Sequence, residues 1–416
     1  MTCSWIARHR AIAVVVLVGS SFAVSACTNG TSSVGPTNKG VAVPAINSQG
    51  YTFYTVDYAL GQENEIAGIN DNREVVGNYT SAANLIATGG ACGNKTTENL
   101  PGTCSDCPLP SGEGQPSGIS WQSYTSTYSG SSPYSSQTLL DYPDAKWQYM
   151  YAISNPSAQF NNQPIETGCL VQPGGEHGGE LGGTWAVVDY GGLWSILKKY
   201  AFSNQCPVGA IGELLGIDIS TSPVTAIGYF NYNKDHCYLQ PWEAAPGDNK
   251  KQLTLSGTKV GNWTDIEAAG ISNTNTSSPT VVGAATTTLT YAQQVGWSMP
   301  LSGGTAQPES YPGSKFTAFT GVSVIHLGGQ IIVGWYTDAA SNTHGLVYNK
   351  NSSAPWTSID EPSAYGRKLT IIRGINANGD ICGWYADKSG TYHGFVGIKY
   401  GVPRKHRENH QVIGPS

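Results

Sequence analysis

One short run in this 416-residue chain sets a histidine between two carboxylates: Glu176-His177-Gly178-Gly179-Glu180. Imidazole beside carboxylate could ligate a metal or relay a proton. The run sits inside PGGEHGGELGG, and ordering so glycine-rich a loop costs conformational entropy. It reads as a binding loop or a solvated one, with Glu176, His177 and Glu180 as candidate contacts, and no metal is expected. Cys104 and Cys107 have Cys-x-x-Cys spacing, but no second Cys or His pair stands at a zinc-like distance. A structural disulfide is preferred there over a redox motif or a zinc site.

His236, His344 and His393 recur at the start of what reads as a fourth, outermost strand of a repeated unit. So placed they lie too far apart to share a metal, and each is expected to make the same local hydrogen bond. Asp57, Asp141, Asp189 and Asp360 sit at or near short β-type runs that open or close a unit. Acid–base work on a glycosidic bond would need two carboxylates about 5 to 9.5 Å apart. Aspartates beside turns more often accept backbone N–H groups, and that reading is preferred. No nucleophile elbow, phosphate loop, dinucleotide fingerprint or His-Glu-x-x-His helix occurs. No catalytic residue and no cofactor is expected.

The elements that must carry these residues begin after an export signal. Arg8, His9 and Arg10 precede an apolar run, Ala11 to Gly19, and small residues lead to Val24-Ser25-Ala26-Cys27. A membrane span needs about 20 apolar residues, so residues 1–26 read as a cleaved lipoprotein signal. Cys27 is the expected lipidation site, with simple cleavage after Ala26 as the rival. Thr28 at the next position resembles outer-membrane sorting, with the domain on the periplasmic or surface face. Residues 27–50, rich in Ser, Thr, Asn and Gly, form a flexible tether, and residues 401–416 a polar tail.

Without its signal the chain keeps 20 Lys/Arg against 28 Asp/Glu, a formal charge of 20 − 28 = −8. That balance disfavours nucleic acid and anionic lipid heads, so the membrane contact expected is the lipid anchor alone. Of nine cysteines, Cys3 leaves with the signal and Cys27 takes the lipid. Cys92, Cys104, Cys107, Cys169, Cys206, Cys237 and Cys382 remain, and an odd count leaves at least one free. Cys206 and Cys237 are a candidate disulfide; Cys382 lies in an apolar strand and reads as a buried thiol.

Residues 51–400 repeat. The clearest unit runs from Pro355-Trp356-Thr357-Ser358-Ile359-Asp360 through LTIIRGIN, DICGWY and Tyr392-His393-Gly394-Phe395-Val396, four strands joined by tight polar turns. Positions equivalent to Ile375 fall at 69, 153, 217, 271 and 322, so successive spacings are 84, 64, 54, 51 and 53. A period near 50 suits a four-stranded blade, and the two long spacings hold insertions. The expected fold is an all-β propeller of about six blades, with a β-solenoid or sandwich as alternative. Gly77, Gly228, Gly283, Gly334 and Gly383 are expected to permit close backbone approach toward the axis. The aromatic residues Tyr229, Trp335 and Trp384 are expected to fill space between blades.

The motif in Gly374 to Phe395, Gly321 to Val347 and, in part, Gly68 to Tyr79 resembles the HAF-type extracellular repeat of exported bacterial proteins. The resemblance implies export and a repeated β-architecture, and carries no activity, substrate or catalytic residue. The functional expectation is a monomeric, lipid-anchored binding protein of the cell envelope whose partner is a protein or glycan. The alternative is a polysaccharide-active hydrolase or lyase. The insertion from Ser81 to Pro116, carrying Cys92, Cys104 and Cys107, is the first choice of binding surface because rigid non-repeating loops suit recognition.

Overall fold

A computed structural model of the chain describes residues 45–46, 50–59, 61–80, 121–130, 133–140, 147–157, 162–171, 185–190, 194–199, 212–218, 225–231, 239–245, 249–253, 255–256, 263–272, 279–286, 294–325, 329–364 and 369–399. The described elements are all β. Alternating apolar and small residues in runs of about seven, cut by Asn/Asp/Gly turns, leave each segment only its neighbours to pair with. Antiparallel meanders result.

The first meander is Glu63–Ile69, Glu74–Thr80, Trp121–Thr127 and Gln137–Leu140. The second is Trp147–Ile153, Ile165–Val171, Trp185–Tyr190 and Trp194–Lys199. The third is Gly212–Asp218, Thr225–Asn231, Leu239–Ala245 and Asn249–Gln252. The fourth is Thr264–Ile271, Thr280–Thr286, Gln294–Pro300 and the short Gln307–Glu309. The fifth is Phe316–Ile325, Gly329–Thr337, Thr343–Tyr348 and Trp356–Ile359, joined to the fourth by one bridge, Gln294 to Phe316. The sixth takes Thr370–Ile375, Ile381–Ala386 and Tyr392–Lys399 from the end of the chain. Its fourth strand, Tyr51–Thr55, comes from the other end, with Tyr51 opposite Lys399 and Thr55 opposite Phe395.

Two expectations shift by this topology. Pro355 to Asp360 does not open the last unit; Trp356–Ile359 is the outer strand of the fifth sheet, paired with Thr343–Tyr348. A meander that repeats along the chain has no marked beginning, and only the pairing fixes its phase. His344 and His393 therefore start third strands rather than fourth.

The repeated glycines answer a different neighbour from the one expected. In all six sheets the register between first and second strands slips by one residue, between Ile66 and Gly68, Met150 and Ala152, Leu214 and Gly216, Ala268 and Gly270, Phe319 and Gly321, and Ile372 and Gly374. Each slip is a β-bulge. A Cβ on Gly334 would lie 1.9 Å from the Ala318 carbonyl oxygen, and one on Gly383 1.9 Å from that of Ile371. On Gly283 it would lie 1.8 Å from the Glu267 oxygen. The second-strand glycine is thus demanded by the bulge in its own sheet, not by the axis.

Packing between sheets is aromatic. Trp297, Trp335 and Trp384 are fully buried, as are Tyr124, Tyr149 and Phe319. Each such side chain contributes roughly 1.5–3 kcal/mol by leaving water. Cys382 is a free, buried thiol, as its apolar strand implied, and burial pushes its pKa far up.

Candidate functional site

The first strands of all six sheets line one cavity of about 70 Å³, space for a few water molecules. Ala67, Tyr151, Leu215, Ala269, Thr320 and Arg373, the extra residues of the six bulges, all face it. A bulge re-aims one side chain without ending the strand, and here it does so six times at one level. Sequence reading missed this set. Its members share no common residue type, and the only signal was their place just before a small residue and an Ile or Val.

At the finishing ends of the first strands the wall is polar and tightly tied. Asp71 accepts from the Ala377 N–H at 2.7 Å and from Asn155 Nδ2 at 2.8 Å. Its own N–H donates to Asn155 Oδ1 at 2.7 Å, and Asn378 Nδ2 donates to its carbonyl at 2.9 Å. Asn376 Nδ2 reaches the Asn70 carbonyl at 3.0 Å, and Asn70 Nδ2 the Ser154 carbonyl at 3.1 Å. Second, first and sixth sheets are sewn together by these turns. Asn70 and Asn376 fold their own turns the same way, each Oδ1 accepting the N–H groups two and four residues on. Where the sixth sheet puts Gly379 at φ 80°, the first puts Arg73 at φ 63°, a conformation L side chains rarely adopt. Arg73 is held there by fully buried Asp380, Nε to Oδ2 at 2.8 Å and Nη2 to Oδ1 at 3.3 Å.

The opposite end, where first strands begin and second strands finish, holds the repeated histidines. His344 Nδ1 lies 2.8 Å from Asp360 Oδ1 and its Nε2 3.5 Å from Asp338 Oδ2. His393 matches it, 2.7 Å from Asp57 and 3.5 Å from Asp387. Tyr336 stacks on His344 and Tyr385 on His393. The hydrogen bond to Asp360 holds the His344 pKa above its ordinary value. Burial works against the charge on His393, but the bond to Asp57 and the nearness of Asp387 outweigh it and its pKa also rises. Burial alone would raise Asp338 and Asp387; hydrogen bonds from Asn342 and from Ser389 and Thr391 pull both below the usual range. Asp57 and Asp360, singled out in the sequence, are thus brought to histidines rather than to each other. Each pair makes the repeated local bond expected of repeated residues.

Two half-buried loop tyrosines went unnoticed in the sequence. Tyr58 stacks on Tyr79 with ring centres 4.3 Å apart, and Tyr311 on Tyr336 at 3.7 Å. Both stand just before a first strand and cover the tyrosine of its partner strand.

Cys27, Cys92, Cys104, Cys107, Glu176, His177, Glu180, Cys206, Cys237, His236 and Asp141 lie outside the described residues, as does the side chain of Asp189. Their attachment points are described. The 81–116 insertion leaves after Thr80 and the chain returns at Trp121, its pairing partner. The glycine-rich insertion leaves after Val171 and the chain returns at Trp185. Both join second strands where those finish, the end away from the Asp71–Asn376 turns. Among the described residues no cluster of three His, Cys, Asp or Glu is arranged to hold a metal.

No protein-family model matches the chain, and no curated protein does. Among solved structures it is similar to a protein of unknown function from Dyadobacter fermentans, at 10% identity and TM-score 0.48, covering 83% of this chain and 96% of that one. A Hadza microbial sialidase gives 9% identity and TM-score 0.47 over 84% of this chain and 68% of its own. A gluconolactonase of Xanthomonas campestris gives 9% and 0.42, over 87% and 96%. Likeness at this level bears on neither activity nor ligand.

Proposed function

We propose that this chain is an exported, lipid-anchored β-propeller of six blades that binds a glycan or protein partner and is not an enzyme. Six meanders with six aligned bulges around one cavity support the blade count. The segments that carry the HAF-type motif lie in the fifth, sixth and first sheets.

One observation carries the binding reading. Among the described residues lining the cavity there is a single carboxylate, Asp71, and no histidine. Both Asp71 oxygens already accept structural hydrogen bonds. Hydrolysis or elimination at that mouth would need a second acid or base within reach. The inserts of two neighbouring sheets join at the opposite end, which makes that end the recognition face.

The test is a screen of the mature protein against glycan and envelope-protein arrays, with and without residues 81–116. Binding that the deletion abolishes, with the melting temperature kept, is the expected result. Undiminished binding by the deletion variant removes the insertion from the site, and turnover of a polysaccharide would replace binding by the hydrolase or lyase reading. Mass spectrometry of the mature N-terminus checks the anchor: an unmodified Cys27 refutes it.

A further inference from the structure

Between Tyr51–Thr55, which completes the sixth sheet, and the first strand of the first sheet, the chain crosses through Val56 and Asp57. Both sheets hold that crossing. The Val56 N–H donates to the Gly394 carbonyl at 2.8 Å, and Asp57 accepts the Gly394 N–H at 3.2 Å. From the first sheet, Tyr124 donates its hydroxyl to the Val56 carbonyl at 3.1 Å and Gln137 its Nε2–H to the Asp57 carbonyl at 2.9 Å. The Tyr385 hydroxyl lies 3.1 Å from Thr55 Oγ1. Against these stands the contact of Asp57 with His393, which changes its charge near neutral pH.

His393 is set between two carboxylates, Nδ1 2.7 Å from Asp57 Oδ2 and Nε2 3.5 Å from Asp387 Oδ2. An imidazolium points an N–H at each. A neutral ring has one N–H, so whichever carboxylate keeps it, the other faces a nitrogen lone pair. A third carboxylate stands behind. Glu361, 4% exposed, comes from the connection between the fifth and sixth sheets, and its Oε2 accepts the Ser363 N–H at 2.6 Å. Tyr385 stacks on His393, and its hydroxyl feels the charges of Glu361 and Asp57. Lys388, next to Asp387, is exposed. Burial lifts Glu361 to about 7. Burial lowers His393, but Asp57 and Asp387 hold it above 6.5, so rising pH takes a proton from each group. One cation between two carboxylates becomes a neutral ring among three.

We propose that this crossing is a proton-operated latch that sets how often Tyr51–Thr55 parts from Tyr392–Lys399: shut while His393 is an imidazolium, loosened when it is neutral, with the other five sheets intact. The strand is suited to local opening, being five residues long with the two-residue Ala45–Ile46 as its outer neighbour. The fifth sheet supplies an internal control. His344 stands between Asp360 and Asp338 in the same way, but Asp360 directly follows the outer strand of its own sheet. The latch goes beyond the binding reading and does not depend on the ligand.

The test is amide hydrogen exchange of the mature protein from about pH 5.5 to about pH 8.5, each rate divided by that of an unstructured chain at the same pH. Protection of Tyr51–Thr55 is expected to fall about tenfold or more, and that of Trp356–Ile359, the equivalent strand of the fifth sheet, by less than about threefold. The midpoint of the fall should coincide with the His393 titration followed by NMR. Asp387→Asn combined with Glu361→Gln should hold the change at Tyr51–Thr55 to about threefold or less. In that variant residue 387 keeps the oxygen that accepts from the Ser389 and Thr391 N–H groups, and gains an amide that donates to a neutral Nε2. No fall at Tyr51–Thr55, an equal fall in both strands, a midpoint away from the His393 titration, or an undiminished fall in the variant overturns the latch. If the variant folds poorly, the two strands and the midpoint within the unmutated protein decide.

Discussion

His344 and Asp360 stand 16 residues apart in the chain, His393 and Asp57 stand 336 apart, and the two imidazole–carboxylate contacts measure 2.8 and 2.7 Å. The fifth-sheet pair joins strands that already follow one another. The sixth-sheet pair joins the end of the chain to its beginning, because the strand before Asp57 completes the last sheet. Asp57 does more there: it also accepts the Gly394 N–H at 3.2 Å, and its side chain is 22% exposed against 39% for Asp360. One repeated bond is thus a local ornament in one sheet and a closure in the next. What differs is not the chemistry but how much chain it holds together.

The largest expected effect falls equally on both sheets and so calibrates the comparison. Gly334→Ala and Gly383→Ala each force a Cβ to within 1.9 Å of a bulge carbonyl. Each is expected to destabilise by about 3 kcal/mol or more, read from denaturant unfolding. Tolerance of either would show that the two sheets are not equivalent at the bulge. Next, Asp57→Ala should cost about 2 kcal/mol and Asp360→Ala about 1 kcal/mol or less, since the more exposed contact is better screened. Equal losses would abolish the distinction between closure and ornament.

The pH profile sharpens it further. Histidines whose folded pKa is raised lend full stability below the ordinary value of 6.5, and that stability is lost as pH rises through the folded value. Glu361, lifted by burial to about 7 from 4.5, acts with the same sign. Asp338 and Asp387 work oppositely: their contribution is present above 3.8 and is lost as pH falls through their lowered values. Thermal melts should therefore peak between about pH 4 and 6 and decline by a few degrees toward pH 8. The decline should be shallower in His393→Ala than in His344→Ala if closure governs melting. Arg73→Gly relieves the left-handed backbone by about 1 kcal/mol but strips fully buried Asp380 of its cation, so a net loss of about 2 kcal/mol is expected.

Much of this architecture was legible in the sequence because bulge, glycine and turn recur together. A Gly-Ile or Gly-Val step marks five of the six first strands, extended to Gly-Ile-Asn in the first and sixth, so strand spacing could be read directly. The phase could not, since Trp356–Ile359 looks the same whether it opens one unit or ends another. The histidine–aspartate pairs were legible as repeated residues but not as partners, because Asp57 finds His393 only through closure of the sixth sheet. The cavity was hidden for a plainer reason. A bulge accepts any side chain, so Ala67, Thr320 and Arg373 carry no common mark. The cysteines and the Glu176–Glu180 run lie in insertions that no repeat constrains.

The pairing of Tyr51–Thr55 with Tyr392–Lys399 also sets a timetable. Tyr51–Thr55, paired on one side with Ala45–Ile46, must wait for the last strand to be synthesised before its other edge is covered. Until then a row of Tyr-Thr-Phe-Tyr-Thr backbone groups stays open to any passing strand. Folding should end with a slow, long-range step, and a chain cut short before Tyr392 should aggregate rather than merely lose a sheet.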